Sequence, residues 1–388
     1  MLYTDDRFVE KFYDIIKIIS PPYAISVDGL WGTGKTSLMK FLQKELEKDA
    51  YPTFWFNPWE YRQTESVVLA FLQCFASAHM EALDSISASG KKILHVLLES
   101  GIHTGLKFIT KGTFSLKDIQ NYFQSTEQKL PAYRKFNNTI ETIRKEFLAL
   151  TGQVSKKYNE KPVIIFFDDL DRCLPEDTIQ LLEALKNLFV TPECNAIFIC
   201  GIDTRIAKQF ISKHYGEIEE IFAINYFRKI FNLTISMPYS SKVYNLLCCY
   251  IIELFEWKDA GNDRAEQLAR IIYTGGLQAQ IYSIRKFYNI ITNYYIFLKF
   301  NPDYIAEKSD DFLISLLILK EAWQPLYEKL IRESFRTRSA MGEFVQKILD
   351  TNPLSEEQKE YLAQYTEKNS SYSGESLHTW LTQYSTLA

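Results

Sequence analysis

The sequence lacks the motifs that mark zinc-binding and redox proteins. Its six cysteines include no Cys-x-x-Cys pair, and its five histidines are not spaced as metal ligands. The first residues carry several charges, a composition unlike that of a secretory signal. Free cysteines without a disulfide pattern are typical of a reducing compartment, so we expect a cytoplasmic protein.

Long apolar runs and an excess of positive charge are also missing. The interval 91–116 is interrupted by Glu99, His103, Lys107 and Lys111, so it does not reach the ~18 to 20 apolar residues that a membrane span needs. We therefore expect no membrane span. The net charge of -4 gives no support to nucleic-acid binding, although a local basic groove stays open as an alternative.

What is present is a phosphate-binding motif in its usual setting. The apolar segment 23–27 predicts a strand, the next residues fit G-x-x-x-x-G-K-[ST], and 37–48 predicts a helix. Glycines let backbone N–H groups turn toward an anion, and the helix N-terminus adds a positive dipole end. The residues expected to bind a nucleoside triphosphate are Gly29, Leu30, Trp31, Gly32, Thr33, Gly34, Lys35, Thr36 and Ser37.

A second segment supplies the carboxylates that such a site requires. Within this motif, Lys35 is expected to reach the β- and γ-phosphates and Thr36 to bind Mg²⁺ through its hydroxyl. Five apolar residues, 163–167, predict a strand buried on both faces, and Asp168 follows it. Asp168 is therefore the predicted Mg²⁺ anchor, and Asp169 can orient or polarise the attacking water. A cation is expected here, because clustered aspartates repel one another without one.

The order of predicted elements indicates an α/β fold. Strands are predicted at 23–27, 53–56, 163–167, 196–200 and 232–237, and helices at 1–20, 37–48, 64–83, 132–157, from 175, and at 204–214. Strands alternating with helices predict a parallel sheet flanked by helices on both faces. The long interval between Lys35 and Asp168 predicts a helical insertion at about 85–130.

Beyond residue 240 the predicted elements are helices alone, at 244–255, 266–273, 281–300, 310–334 and 342–349. The chain length suits two domains at ~100 to 200 residues each. We therefore divide the chain into a P-loop NTPase domain, residues 1–240, and an all-helical lid or C-terminal domain, residues 241–388.

Together these motifs resemble the KAP family of P-loop NTPases. The segments that carry the resemblance are 28–37, 56–61, 166–172, 199–203, 226–231, Pro238 and 313–327. The resemblance implies the strand order 5-1-4-3-2, which places the strand of Cys200 between the P-loop strand and the strand of Asp168. Many members carry transmembrane helices between these two motifs, and this sequence departs from them there.

The resemblance adds candidate residues, each with an ordinary alternative. Asp203 can sense the γ-phosphate or the lytic water, or cap the helix from Thr204, and both roles can hold. Glu60 can activate water if Asp169 is too short to reach it, or it is a surface residue beside a packed Trp59.

Two arginines are further candidates. Arg228 can act as a finger toward a neighbouring subunit, with Lys229 beside it, or the two form a solvated basic pair. Arg285 resembles the lid arginine that contacts phosphates, but the Asn-Pro expected before it is replaced by Ser283 and Ile284, and an ordinary surface arginine is the alternative.

The function that follows is an ATP-hydrolysing, Mg²⁺-dependent regulatory switch or assembly module. The absence of an Asn-Lys-x-Asp motif favours ATP over GTP. The family resemblance implies a role in bacterial anti-phage defence with a separate effector protein, a homo-oligomer, or both. The alternatives are a nucleic-acid-acting ATPase or clamp and an ATP-stabilised scaffold.

Overall fold

A computed structural model describes residues 6–61, 66–80, 130–215, 220–237, 243–257, 262–301, 306–329 and 355–361. The predicted insertion at about 85–130, the predicted helix at 342–349 and Pro238 lie outside these ranges. The chain forms two compact units. We call Thr4–Gly29 with Gly34–Pro238 the sheet unit, and Met1–Tyr3, Leu30–Thr33 and Tyr239–Ala388 the helical unit.

A parallel sheet forms the centre of the sheet unit. Its strands are β1 (Tyr23–Asp28), β2 (Thr53–Phe56), β3 (Val163–Phe167), β4 (Ala196–Ile202) and β5 (Leu233–Ser236). All paired strands run parallel, in the order β2-β3-β4-β1-β5. The strand order implied by the family resemblance is therefore confirmed.

Burial explains why these segments form strands. Every residue of β3 and β4 is buried, as expected for central strands that are covered by helices on both faces. In β5, at one edge, half-buried and exposed residues alternate. The unbroken apolar runs thus mark the centre of the sheet, and the carboxyl ends of β1, β3 and β4 meet at one edge.

Helices cover the sheet. They are α1 (Asp6–Ile18), α2 (Lys35–Lys48), α3 (Val67–Met80), α4 (Leu130–Lys157), α5 (Pro175–Ala184), α6 (Thr204–His214) and α7 (Glu220–Ile230). Short turns at Pro58–Tyr61 and Leu170–Arg172 follow β2 and β3. The α/β fold with flanking helices is confirmed, and α7 is an additional helix for which the sequence analysis had no prediction.

The described part of the helical unit beyond residue 242 contains α8 (Val243–Phe255), α9 (Asn262–Gln278), α10 (Ile284–Phe300) and α11 (Ala306–Ala322). The single helix predicted at 310–334 was wrong in one respect, because α11 ends at Ala322 and helical residues resume at 324–329. Pro325 has no N–H to donate to the carbonyl of Glu321. That carbonyl instead accepts a hydrogen bond from Lys286 Nζ at 2.7 Å.

Within the described residues, no helix combines the length and the apolar character that crossing a membrane requires.

Candidate functional site

The loop between β1 and α2 has the backbone that its glycines predict. Gly32 and Gly34 have φ angles of 78° and 95°, in the left-handed region that favours glycine. The N–H and the hydroxyl of Thr33 both donate to the carbonyl of Leu30, at 3.3 and 2.8 Å. Helix α2 begins directly at Lys35, so its first backbone N–H groups are available to an anion.

The Lys35 side chain is buried, and its ammonium lies against a carbonyl and a carboxylate. Its Nζ donates to the carbonyl of Gly29 at 2.6 Å and lies 3.5 Å from Asp171 Oδ2. The other predicted loop residues are accessible to a ligand to different extents. Trp31 is 52% exposed, and Ser37 is exposed on the first turn of α2.

Thr36 and Asp168 form the pair that the two motifs predicted separately. Thr36 Oγ1 donates to Asp168 Oδ1 at 3.1 Å, which joins the start of α2 to the end of β3. Burial and, to a smaller extent, the neighbouring charge of Asp169 raise the pKa of the Asp168 carboxyl to about 6. A bound cation would relieve both effects, and hydroxyl and carboxylate oxygens are the ligands that Mg²⁺ prefers.

Asp169 adopts an unusual backbone conformation and has a charged partner. Its φ of 57° lies in the left-handed region, which aspartate tolerates better than most residues. Arg172 Nε lies 3.0 Å from its Oδ1. The predicted water-orienting carboxylate is therefore held by an arginine in the same turn.

Asp203 is the N-cap of α6. Its Oδ1 accepts from the N–H of Arg205 at 3.1 Å, and Arg205 Nη2 donates to its Oδ2 at 2.9 Å. Burial alone would raise the pKa of this carboxyl, but the contacts with Arg205 outweigh it and the pKa is lowered. The capping alternative is thus observed, and the sensor role stays a prediction.

Glu60 lies in the turn that follows β2, beside the turn that holds Asp169. The Pro58–Tyr61 turn contacts the Leu170–Arg172 turn. The exposed Glu60 carboxylate accepts from Asn57 Nδ2 at 3.3 Å. Glu60 is thus a surface residue, as the alternative interpretation expects, and Trp59 beside it is 37% exposed. The role of Glu60 toward water stays a prediction.

The two candidate arginines both lie on exposed helix surfaces. Arg228 and Lys229 are exposed in the last turn of α7, just before β5. Arg285 is exposed in the first turn of α10. Within the helical unit, which includes Leu30–Thr33, a Cβ added to Gly32 would meet Ser283 Oγ and would lie 2.8 Å from the Cβ of Arg285. The roles of these arginines toward a nucleotide stay predictions.

Sequence reasoning missed three residues at this site. Asp171 contacts Lys35, and Arg172 contacts Asp169. The signal for both was their position in the same charged turn. At Gly201 in β4, an added Cβ would lie 3.1 Å from Asp168 Oδ1, so this strand needs glycine to leave room for the carboxylate. The signal was a lone glycine within an apolar strand.

A parallel sheet, a glycine loop leading into a helix, and a hydroxyl–carboxylate pair beside a buried lysine define the class of P-loop NTPases. The family model described as the KAP family P-loop domain matches residues 5–300 of the 388. The chain belongs to the KAP family of P-loop NTPases, and this membership indicates nucleotide binding and hydrolysis. A search of curated proteins finds no significant match.

Proposed function

We propose that this protein is a Mg²⁺-dependent ATPase whose nucleotide state regulates its assembly or a partner protein. The observation that carries the proposal is the 3.1 Å contact between Thr36 Oγ1 and Asp168 Oδ1, one residue from the buried Lys35. It supports the proposal because Thr36 and Asp168 would then offer a hydroxyl and a carboxylate to Mg²⁺, and Lys35 would offer an ammonium to the phosphates.

Each residue of the proposed site would have a distinct role in hydrolysis. Backbone N–H groups at the start of α2 and the Lys35 ammonium would bind the phosphates, and Thr36 and Asp168 would hold Mg²⁺. The metal would supply positive charge that offsets the charge of the phosphates. Asp169, or Glu60 from the adjacent turn, would orient the attacking water. Adenine is proposed because the guanine-reading motif is absent from the sequence.

The regulatory part of the proposal rests on the exposed Arg228 and on family resemblance. A finger from a neighbouring copy would complete each site only in an oligomer, so that ATP would favour assembly. A cytoplasmic role in anti-phage defence, with a separate effector protein, is the setting we propose. DNA or RNA as the partner is the competing proposal.

Phosphate release by the purified 388-residue chain, with MgATP and with MgGTP, tests the enzymatic part of the proposal. We expect MgATP hydrolysis that EDTA abolishes and that Lys35→Ala reduces at least about a hundredfold, because the main phosphate-binding charge is lost. Lys44→Ala, later in the same helix, is the matched control and should retain activity. Wild-type rates in Lys35→Ala would reject the proposal, and stimulation by added DNA would favour the nucleic-acid alternative.

A further inference from the structure

We propose that Asp171 is a positioning residue that holds the Lys35 ammonium in the nucleotide-free protein and competes with phosphate for it. Asp171 would thereby weaken nucleotide affinity and connect the nucleotide state to the Leu170–Arg172 turn. This inference rests on the proposed function, since it assigns Lys35 to the phosphates of a nucleotide.

The contact between these two residues is buried on both sides. Lys35 Nζ and Asp171 Oδ2 are 3.5 Å apart, and the two side chains are 7% and 0% exposed. The ammonium also donates a hydrogen bond to the Gly29 carbonyl, which is a neutral group. A buried ammonium is stabilised by a nearby carboxylate far more than by a carbonyl alone. Asp171 therefore supplies compensating negative charge at close range.

Binding of a nucleotide changes this balance. Phosphate oxygens would bring negative charge to the same ammonium, and exchanging the Asp171 contact for phosphate would reduce the net gain on binding. Phosphate charge and the Asp171 carboxylate would also repel each other at short range. Loss of the Asp171 charge should therefore increase nucleotide affinity. If Asp171 only stabilised the fold of the site, its loss would instead decrease nucleotide affinity.

The same turn also controls the water-orienting residue. Asp169 precedes Asp171 by two residues, and Arg172 contacts the Asp169 carboxylate at 3.0 Å. A change in the Lys35–Asp171 contact therefore acts on the short segment that positions Asp169. Nucleotide binding at Lys35 would thereby affect the position of Asp169, the proposed water-orienting residue.

A double-mutant cycle in the nucleotide-free protein tests the contact itself. The variants are Asp171→Asn, Lys35→Met and the double substitution, compared by the urea midpoint of unfolding. Each single change should lower the midpoint by leaving a buried charge, and the double variant should lose less than the sum. Glu176→Gln, which removes an exposed charge from the first turn of α5, is the control, and its effect on the midpoint should add to that of Lys35→Met.

The inference would be overturned if the midpoint changes of Asp171→Asn and Lys35→Met were also additive. It would likewise be overturned if Asp171→Asn were unfolded and Lys35→Met did not restore folding.

Calorimetric titration with MgADP and MgATPγS then tests the competition. We expect Asp171→Asn to bind both about tenfold more tightly, the scale of one close charge contact, and Glu176→Gln to bind as the wild type does. Equal or weaker binding by a folded Asp171→Asn variant would contradict the inference. Failure of the wild type to bind either nucleotide would instead reject the proposed function, and the double-mutant cycle would still decide whether Asp171 holds Lys35.

Discussion

At the scale of single residues, the site depends on a carboxylate that is difficult to ionise. Asp168 is buried at the end of β3, next to Asp169, and its pKa is raised to about 6. The hydrogen bond from Thr36 favours the charged form, but it offsets only part of the effect of burial on the pKa. Mg²⁺ at the proposed site would bind the ionised carboxylate, so protons and metal would compete for this group in the weakly acidic range.

This competition predicts a pH dependence with a defined sign. Below about pH 6 the neutral acid predominates, so the apparent Mg²⁺ affinity in the presence of ATP should fall by about tenfold per pH unit. Above about pH 7 the affinity should level off. Calorimetric or kinetic Mg²⁺ titrations between pH 5 and 8 measure this.

Asp177 offers a matched control, because burial also raises the pKa of its carboxyl to about 6. Asp177→Asn should leave the pH profile of the Mg²⁺ affinity unchanged, whereas Asp168→Asn should abolish metal-dependent turnover. A profile that is flat through pH 6 in the wild type would show that Asp168 is not the titrating metal ligand.

The roles of Asp169 and Glu60 can be separated by amide substitutions. Asp169→Asn should bind MgATP nearly as the wild type does but turn over at least about a hundredfold more slowly, since it keeps the size and loses the charge of the group. Glu60→Gln, with an exposed side chain, should retain most activity. Single-turnover hydrolysis measures both. Full activity in Asp169→Asn together with an inactive Glu60→Gln would assign the water to Glu60.

At the scale of elements, β4 places backbone where the site has no room for a side chain. A Cβ on Gly201 would lie 3.1 Å from both Asp168 Oδ1 and Met39 Sδ. Methionine is flexible and can shift, but Asp168 is constrained by Thr36. The absence of a side chain at Gly201 therefore leaves room for the Asp168 carboxylate, the proposed metal ligand.

Gly201→Ala should therefore reduce Mg²⁺-dependent turnover by about tenfold. Overpacking should lower the free energy of unfolding by only about 1 kcal/mol, so the variant should stay folded. Gly152→Ala in α4 is the control, because an added Cβ there meets nothing within 4 Å. That variant should keep its activity and gain stability from the better helix propensity of alanine. Equal kinetic constants for Gly201→Ala and the wild type would contradict this account of β4.

A buried carboxylate links three helices of the sheet unit. Glu183 in α5 accepts hydrogen bonds from the hydroxyls of Tyr215, which follows α6, and Tyr226 in α7, and its Oε2 accepts from Asn187 at 2.9 Å. Burial, followed by the Glu183 interactions, raises the pKa of Tyr226. This cluster fixes α7, the helix that carries Arg228.

Glu183→Ala should therefore lower the free energy of unfolding by about 1–3 kcal/mol, because it removes the buried carboxylate that accepts from both tyrosine hydroxyls. Urea unfolding monitored by circular dichroism measures this loss. Tyr215→Phe removes one donor and leaves the other contacts of Glu183, so it should cost less. A Glu183→Ala variant as stable as the wild type would show that the cluster does not secure α7.

The parts of the fold that the sequence predicted are those with a strong local signal. The apolar runs of β3 and β4 identify central strands, and the glycine spacing of the loop identifies the phosphate site. Helix α7 had no such clear pattern, because Ile221 and Phe222 are exposed and blur its buried face. The Lys35–Asp171 contact forms only because the fold brings two distant segments together. The Asp169–Arg172 contact depends on the left-handed backbone at Asp169. The charged turn was visible in the sequence, but the partners of its residues could not be predicted from their spacing.

At the scale of the whole molecule, the exposed Arg228 connects the proposed site to assembly of the protein. Arg228 lies on an exposed surface in the last turn of α7, where a neighbouring copy could receive it. An arginine that acts in trans would make catalysis depend on assembly. Its effect on rate can reach about 10³- to 10⁵-fold.

Arg228→Ala should therefore lower turnover strongly while leaving nucleotide affinity nearly intact, and the specific activity of the wild type should rise with protein concentration. ATP should shift the protein toward a larger species, since a ligand shared across an interface stabilises the assembled state. Lys213→Ala, which removes an exposed charge from the last turn of α6, is the control and should behave as the wild type does.

Mixing Arg228→Ala with Asp168→Ala should restore part of the activity, because each variant supplies the group that the other lacks. Light scattering that shows a monomer in saturating ATP, with a specific activity independent of concentration, would reject catalysis in trans and leave Arg285 as the candidate arginine within one chain.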